Sequence, residues 1–160
     1  MPEFTLRPAT EADVPIILKC IQGLAEYEHL SHECLATDAL LRETLFGVER
    51  GAEVTLAFSG DTPAGFALWF RSYSTFLARP GIYLEDLFVF PDFRGKGLGR
   101  QLLASLARTA RERGYGRVEW AVLNWNVDAI RFYESLGARP MNEWTVYRVA
   151  GEGLMGLEAG

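Results

Sequence analysis

The stretch from Tyr83 to Arg100, YLEDLFVFPDFRGKGLGR, constrains this chain more than any other. Its first half is an apolar run holding two adjacent carboxylates, Glu85 and Asp86; its second is a Pro-Asp turn and a basic loop with Gly95, Gly97 and Gly99. Past the loop, Leu102, Leu103, Leu106, Ala107 and Ala110 recur at helical spacing. A run this apolar predicts a strand covered on both faces, where a charge is costly unless it is paired or used. The glycines allow successive backbone N–H groups to turn toward one point at the start of the helix, which makes an anion cradle.

The other elements follow from pattern and punctuation. Phe4 to Arg7 reads as a strand ended by Pro8. Thr10 with Asp13 opens a helix carrying Val14, Ile17, Leu18, Ile21 and Leu24 and running to about Tyr27. After a loop from His29 to Thr37, Thr37-Asp38 caps a second helix with Leu40, Leu41, Leu45 and Phe46. Glu53 to Phe58 and Ala64 to Tyr73 form a hairpin around the Ser59–Pro63 turn, and Ser74 to Gly81 is a loop. The long helix spans Gly99 to Arg113, with Gly114 as its cap. Val118 to Leu123 is a strand, Asn126 caps a helix from Val127 to Leu136 closed by Gly137, and Trp144 to Val149 is a last strand. The tail from Gly151 either adds a short strand at Leu154 to Leu157 or is loose. The order β-α-α-β-β-β-α-β-α-β implies an α/β fold, a mixed central sheet flanked by helices, in a single domain over 1–160.

Composition narrows the function. A net charge of −5 argues against nucleic acid as a partner, because phosphate neutralisation needs a basic face. No apolar run approaches the roughly 18 residues of a membrane span, and Met1 to Thr5 lacks a secretion signal, so a cytoplasmic protein with no membrane partner is expected. Cys20 and Cys34 form no disulfide framework and read as core or near-surface residues. His29 and His32 lie three apart beside Glu33, but nothing else suggests a metal, and none is expected.

Spacing separates the phosphate loops that compete for Gly95, Gly97 and Gly99. A P-loop needs Gly-x-x-x-x-Gly-Lys-Ser/Thr, which does not occur; the dinucleotide fingerprint needs Gly-x-Gly-x-x-Gly in an N-terminal strand–helix–strand unit. Arg94-Gly95-Lys96-Gly97-Leu98-Gly99 instead resembles the acetyl-CoA pyrophosphate loop of the GNAT N-acetyltransferases, Arg/Gln-x-x-Gly-x-Gly/Ala, and the element order is that family's. The resemblance extends from about Phe4 to Val149. Arg7-Pro8-Ala9-Thr10 with Asp13, Leu24-Ala25 with Tyr27-Glu28, Tyr83-Leu84-Glu85-Asp86, Trp125-Asn126, and Phe132-Tyr133 with Gly137-Ala138 resemble its diamine (spermidine/spermine) branch.

The resemblance implies an enzyme transferring acetyl from acetyl-CoA to a primary amine of a small molecule, polyamine- or diamine-like, by direct attack in a ternary complex. Thialysine or another amino-acid-like amine is the alternative acceptor, and an acyl-CoA-binding sensor module the non-enzyme alternative. Glu85 is implied as substrate ligand and general base, its pKa expected to rise by burial. Asp86 alternates to the opposite face, toward the binding pocket or the sheet. Tyr133 is implied as the donor to the departing thiolate; the competing reading is a core aromatic beside Ala129, Ile130 and Leu136. Leu87, Phe88 and Val89 are implied to meet the pantetheine arm and the thioester oxygen, and Arg94, Gly95, Lys96, Gly97, Leu98, Gly99 and Arg100 the pyrophosphate. Asn126, Asp128 and Ala129 are implied as further cofactor contacts. Tyr27, Glu28 and Trp144 join Glu85 and Asp86 on the substrate side; for Tyr27 and Glu28 an ordinary solvated helix end competes, and for Trp144 a core aromatic. A homodimer, possibly with exchanged C-terminal strands, is also implied.

Overall fold

A computed structural model describes residues 3–160. The chain forms two compact units, one reaching to Ala121 and one from Val122 to Gly160. The first holds a five-stranded sheet in which β1 (Thr5–Pro8), β2 (Glu53–Ser59), β3 (Thr62–Ser74), β4 (Arg79–Val89) and β5 (Val118–Trp120) lie side by side in chain order. The first four are antiparallel and β5 runs parallel to β4. Most of the predicted loop Ser74–Gly81 extends the hairpin instead: β3 and β4 pair from Ser74 and Arg79 inward, leaving only 75–78 to turn. Strand β5 is half as long as its apolar pattern suggests, stopping at Trp120.

Helices α1 (Val14–Tyr27) and α2 (Asp38–Phe46) bury Val14, Ile17, Cys20, Leu41 and Leu45 against Val54, Leu56, Phe66 and Phe88. Alternation sends Ala57 and Ala67, both fully buried, to the other face. Helix α3 (Leu98–Glu112) packs on β3, β4 and β5 through a stripe of Leu98, Leu102, Leu103, Leu106 and Ala110. The predicted starts of α1 and α2 are present in atomic detail. Asp13 Oδ2 accepts from Thr10 N at 2.8 Å, and Arg7 grips the same carboxylate with two bonds, of 2.7 and 2.9 Å, joining β1 to the helix start. This guanidinium, with Thr10, holds the Asp13 carboxyl down at about 2. Thr37 Oγ1 accepts from Leu40 N at 3.2 Å.

In the second unit α4 (Val127–Ser135) starts where expected, with Asn126 Oδ1 accepting from Ala129 N at 3.3 Å, and ends before Gly137, whose φ is 87°. The rest departs from expectation. Trp144 to Val149 is not a strand: its apolar alternation has no ladder among the described residues, and Trp144, Val146 and Tyr147 are largely exposed. A strand needs an edge to satisfy its backbone groups, and pattern alone does not supply one. The tail is neither strand nor loose; Glu152–Ala159 is helical, its Glu, Leu, Met and Ala outweighing Gly153 and Gly156.

One close approach sets the distance between α1 and the sheet. Gly23 faces Phe88, and a Cβ there would lie 2.6 Å from the ring's Cζ. Because Phe88 is buried, its ring has little room to yield. Gly23→Ala is expected to destabilise the protein: overpacking costs about 1–3 kcal/mol, against the roughly 1 kcal/mol that Ala gains in helix propensity. On a Phe88→Leu background the same methyl is expected to stabilise. Urea unfolding of the four proteins checks this, and a Gly23→Ala protein more stable than wild type would show that the ring moves freely.

Candidate active site

Strand β4 is paired along its whole length on the β3 side but only at Ile82, Leu84 and the intervening Tyr83 on the β5 side. Phe90 N donates to Ala64 O at 2.9 Å, which fixes the phase of the β3–β4 ladder: Phe88 and Asp86 turn their backbone groups to β3, and Leu87 and Val89 turn theirs away. Past Leu84, β5 offers those outward groups no partner. An extended chain laid along this edge would find the N–H and C=O spacing of a strand.

The ladder also slips by one residue at the same place. Leu68 lies opposite Asp86 and Trp69 opposite Leu84, so Glu85 is the extra residue of a β-bulge. The bulge breaks the period-two alternation, and with it the expectation that Glu85 is buried. Glu85 is exposed and Asp86 half-buried. Desolvation therefore falls on Asp86, whose carboxyl is pushed up to about 6 by burial and then by the charges of Glu85 and Glu28. Burial also raises Glu28, at the C-cap of α1. Three carboxylates from two elements thus share one locality. Tyr83 belongs to its margin, its hydroxyl pKa raised by burial and by Glu85 and Glu119.

The glycine loop follows β4 after the turn Pro91–Phe93. Gly95 and Gly97 have φ of 73° and 82°, the left-handed region where a side chain is strained, and a Cβ on either would meet nothing within 4 Å. Gln101 N makes the first bond of α3, to Gly97 O at 3.1 Å, so the N–H groups of Leu98, Gly99 and Arg100 lie ahead of the helix's own ladder. Open space around the loop, left-handed glycines and the N-terminus of a 15-residue helix together fit a pyrophosphate. Lys96 and Arg94 turn back onto the chain: Lys96 Nζ donates to Asp92 O at 2.8 Å, and Arg94 Nε to Val89 O at 2.8 Å. Arg94 also stands over the ring of Tyr27, the last residue of α1.

In the second unit, Asn126, Asp128 and Ala129 occupy the first turn of α4, and Tyr133 lies one turn beyond Ala129, its ring 5.6 Å from that of Phe132. Trp144 sits in the irregular segment and is 77% exposed, so it is not a core strand aromatic. Cys20 is fully buried and its thiol is pushed up to about 12, far from the thiolate that an acyl-cysteine route would need. No group of three metal-ligating side chains occurs among the described residues. The bulge and the contact of Arg94 with Tyr27 are the features that sequence reading missed. Adjacent carboxylates in an otherwise two-faced apolar strand were the available signal for the first.

The chain matches the Acetyltransferase (GNAT) family over residues 21–138. It is 35% identical to the L-ornithine N5-acetyltransferase of Arabidopsis thaliana over 198 residues, covering 96% of this chain and 87% of that protein. It is 36% identical to the thialysine N-epsilon-acetyltransferase of Bos taurus over 163 residues, covering 95% of each. Among solved structures, an integron cassette protein from the V. cholerae mobile metagenome superposes with a TM-score of 0.83 at 26% identity, over 100% of this chain and 99% of that one. An aminoglycoside acetyltransferase from a soil metagenome, in complex with sisomicin, shares the fold at a TM-score of 0.73 and 18% identity, over 92% and 95% of the two chains. The bulged strand with its freed edge, the glycine cradle and these matches agree: the chain is an acyltransferase of the acetyltransferase (GNAT) family.

Proposed function

We propose that this enzyme transfers the acetyl group of acetyl-CoA to the terminal primary amine of a small aliphatic molecule, as one domain spanning 1–160. The family match runs across the junction at Ala121, which supports the single-domain reading. The observation that carries the acceptor class is the carboxylate locality of Glu28, Glu85 and Asp86 beside the open edge of β4. Such a site attracts a cation and, holding a carboxyl pushed up to about 6, can also take a proton from it near neutral pH. Similarity to ornithine and thialysine acetyltransferases favours an amine at the end of an amino-acid side chain. A diamine or polyamine is the second reading, supported by the 28% identity to a human spermidine/spermine N(1)-acetyltransferase-like protein.

Acetyl-CoA supplies a thioester. In this reading the glycine loop and the start of α3 hold its pyrophosphate, and the outward groups of Leu87 with the N–H of Val89 hold its pantetheine arm and polarise the carbonyl. Glu85, exposed on the bulge, and Glu28 receive the ammonium; Asp86 accepts its proton, so that the nitrogen carries a lone pair. The new nitrogen–carbon bond forms as the carbon–sulfur bond breaks, and the second proton, shed by the acylated nitrogen, ends on the departing thiolate. Tyr133, on the helix capped by Asn126, donates to the departing sulfur. A phenol's reference pKa of about 10 against about 8.5 for a thiol makes full transfer between the two groups uphill by roughly 2 kcal/mol, so a hydrogen bond carries most of that role. The exposed apolar side chains of Trp144, Val146, Tyr147, Leu154, Met155 and Leu157 support a homodimer that covers them. Two free cysteines suit the reducing cytoplasm in which it is proposed to act.

Thiol release from acetyl-CoA, measured with L-ornithine, thialysine, spermidine and an acetylatable peptide, tests the proposal. Cofactor binding without release for any amine would instead support an acyl-CoA sensor. With a turned-over amine, kcat/KM is expected to rise with pH through about 6 and then level. Asp86→Asn should remove that limb and lower kcat by about 10²–10⁴-fold, whereas Glu85→Gln should mainly raise the amine KM. If Glu85→Gln removes the limb and Asp86→Asn keeps it, the base is Glu85.

The same carboxyl makes a stability prediction. Asp86 holds its proton in the folded protein up to about 6 but loses it near 3.8 when unfolded, so its contribution to stability declines as pH rises between those values. The full difference corresponds to about 3 kcal/mol at neutral pH. Asp86→Asn is therefore expected to raise Tm at pH 7 and to bring no gain at pH 4; a lower Tm at pH 7 would contradict the desolvation. Gly97→Asp, which puts a charged side chain at a φ of 82° inside the cradle, should weaken acetyl-CoA binding by at least about tenfold in calorimetry. Unchanged affinity would move the pyrophosphate elsewhere.

A further inference from the structure

Arg94 opens the glycine loop, yet its side chain leaves the loop. Nε donates to Val89 O, and the guanidinium carbon stands 5.2 Å from the centre of the Tyr27 ring and 5.4 Å from that of Phe88. It therefore joins three parts of the fold: the last residue of β4, the buried ring on which α1 rests, and the last residue of α1. The bond to Val89 satisfies a carbonyl on the outward row, where β5 gives none. Tyr27 directly precedes Glu28, whose charge is felt at Asp86. The last bonds of α1 run from Glu28 N to Leu24 O, His29 N to Glu26 O and Leu30 N to Ala25 O, with His29 in the left-handed region at φ 61°.

We infer that Arg94 is a positioning residue for the amine pocket, holding the Tyr27 end of α1, and with it Glu28, against β4. This goes beyond a pyrophosphate role and rests on the acetyltransferase reading proposed above. A planar guanidinium can donate through Nε while lying over two rings, a combination that an ammonium cannot reproduce. Because the same residue begins the glycine loop, the donor and acceptor halves of the site share one anchor.

A double-mutant cycle on Arg94→Lys and Tyr27→Leu tests this, with Tyr27→Phe as the conservative variant that keeps the ring. Steady-state kinetics with L-ornithine, thialysine or spermidine should show each single change raising the amine KM by about 2- to 5-fold, the size expected of one cation–π contact. The acetyl-CoA KM should move less, the double variant should be no worse than the worse single, and Tyr27→Phe should retain the Arg94 effect. A rise confined to the acetyl-CoA KM, or additive effects in the double variant, would overturn the inference. Hydrogen exchange supplies a readout independent of turnover: Arg94→Lys should speed exchange at the amides of Glu28, His29 and Leu30. If no amine is acetylated, the functional reading fails while faster exchange there still upholds the anchor, and unchanged exchange refutes it.

Discussion

A strand inside a sheet normally has both rows of backbone groups occupied, and β4 does not. It keeps β3 from Arg79 to Val89 but loses β5 after Leu84. The rest of the site depends on that half-finished pairing. The unpaired row opens where the ladder slips at Glu85, so the residue that disturbs the register and the point where the edge comes free nearly coincide. The sheet remains stable because its two faces are covered independently, by α1 and α2 on one side and by α3 on the other.

Electrostatics at this point run against stability. Half-burying Asp86 beside two further carboxylates is a poor choice for a structural residue, since the charges of Glu85 and Glu28 add to the desolvation instead of offsetting it. Contrast Asp13, equally a carboxylate near a helix start, which is gripped by Arg7 and Thr10 and pushed down to about 2. One carboxylate is kept charged by a fitted partner and serves the join between β1 and α1. The other is left wanting a cation, which is a state suited to an incoming amine.

Much of this was legible in the residues. The helix starts at Thr10, Thr37 and Asn126 were read from capping side chains, and α3 from its apolar stripe, because those signals are local. The glycine loop was legible for the same reason: left-handed backbone at Gly95 and Gly97 leaves a mark in the sequence. Errors concentrate where the outcome depends on a partner. Trp144 to Val149 has a strand's alternation without an edge to join, and β5 has an apolar run longer than its pairing. The division between Glu85 and Asp86 depended on a bulge, and a one-residue slip exchanges which neighbour is buried. The course of the Arg94 side chain, onto Val89 O and over the Tyr27 ring, left no mark either, because a motif records backbone spacing and not where a long side chain goes.

The burial of Cys20 has a practical consequence. Its thiol lies in the layer between α1 and the sheet with none of its surface accessible, while Cys34, just past α1, is partly open. A thiol-specific reagent would therefore label the chain in two steps, Cys34 promptly and Cys20 only during moments when α1 lifts. Under conditions where reclosing is fast compared with labelling, the ratio of the two rates reads the free energy of that opening. The protein thus contains, without engineering, a clock for the motion of α1.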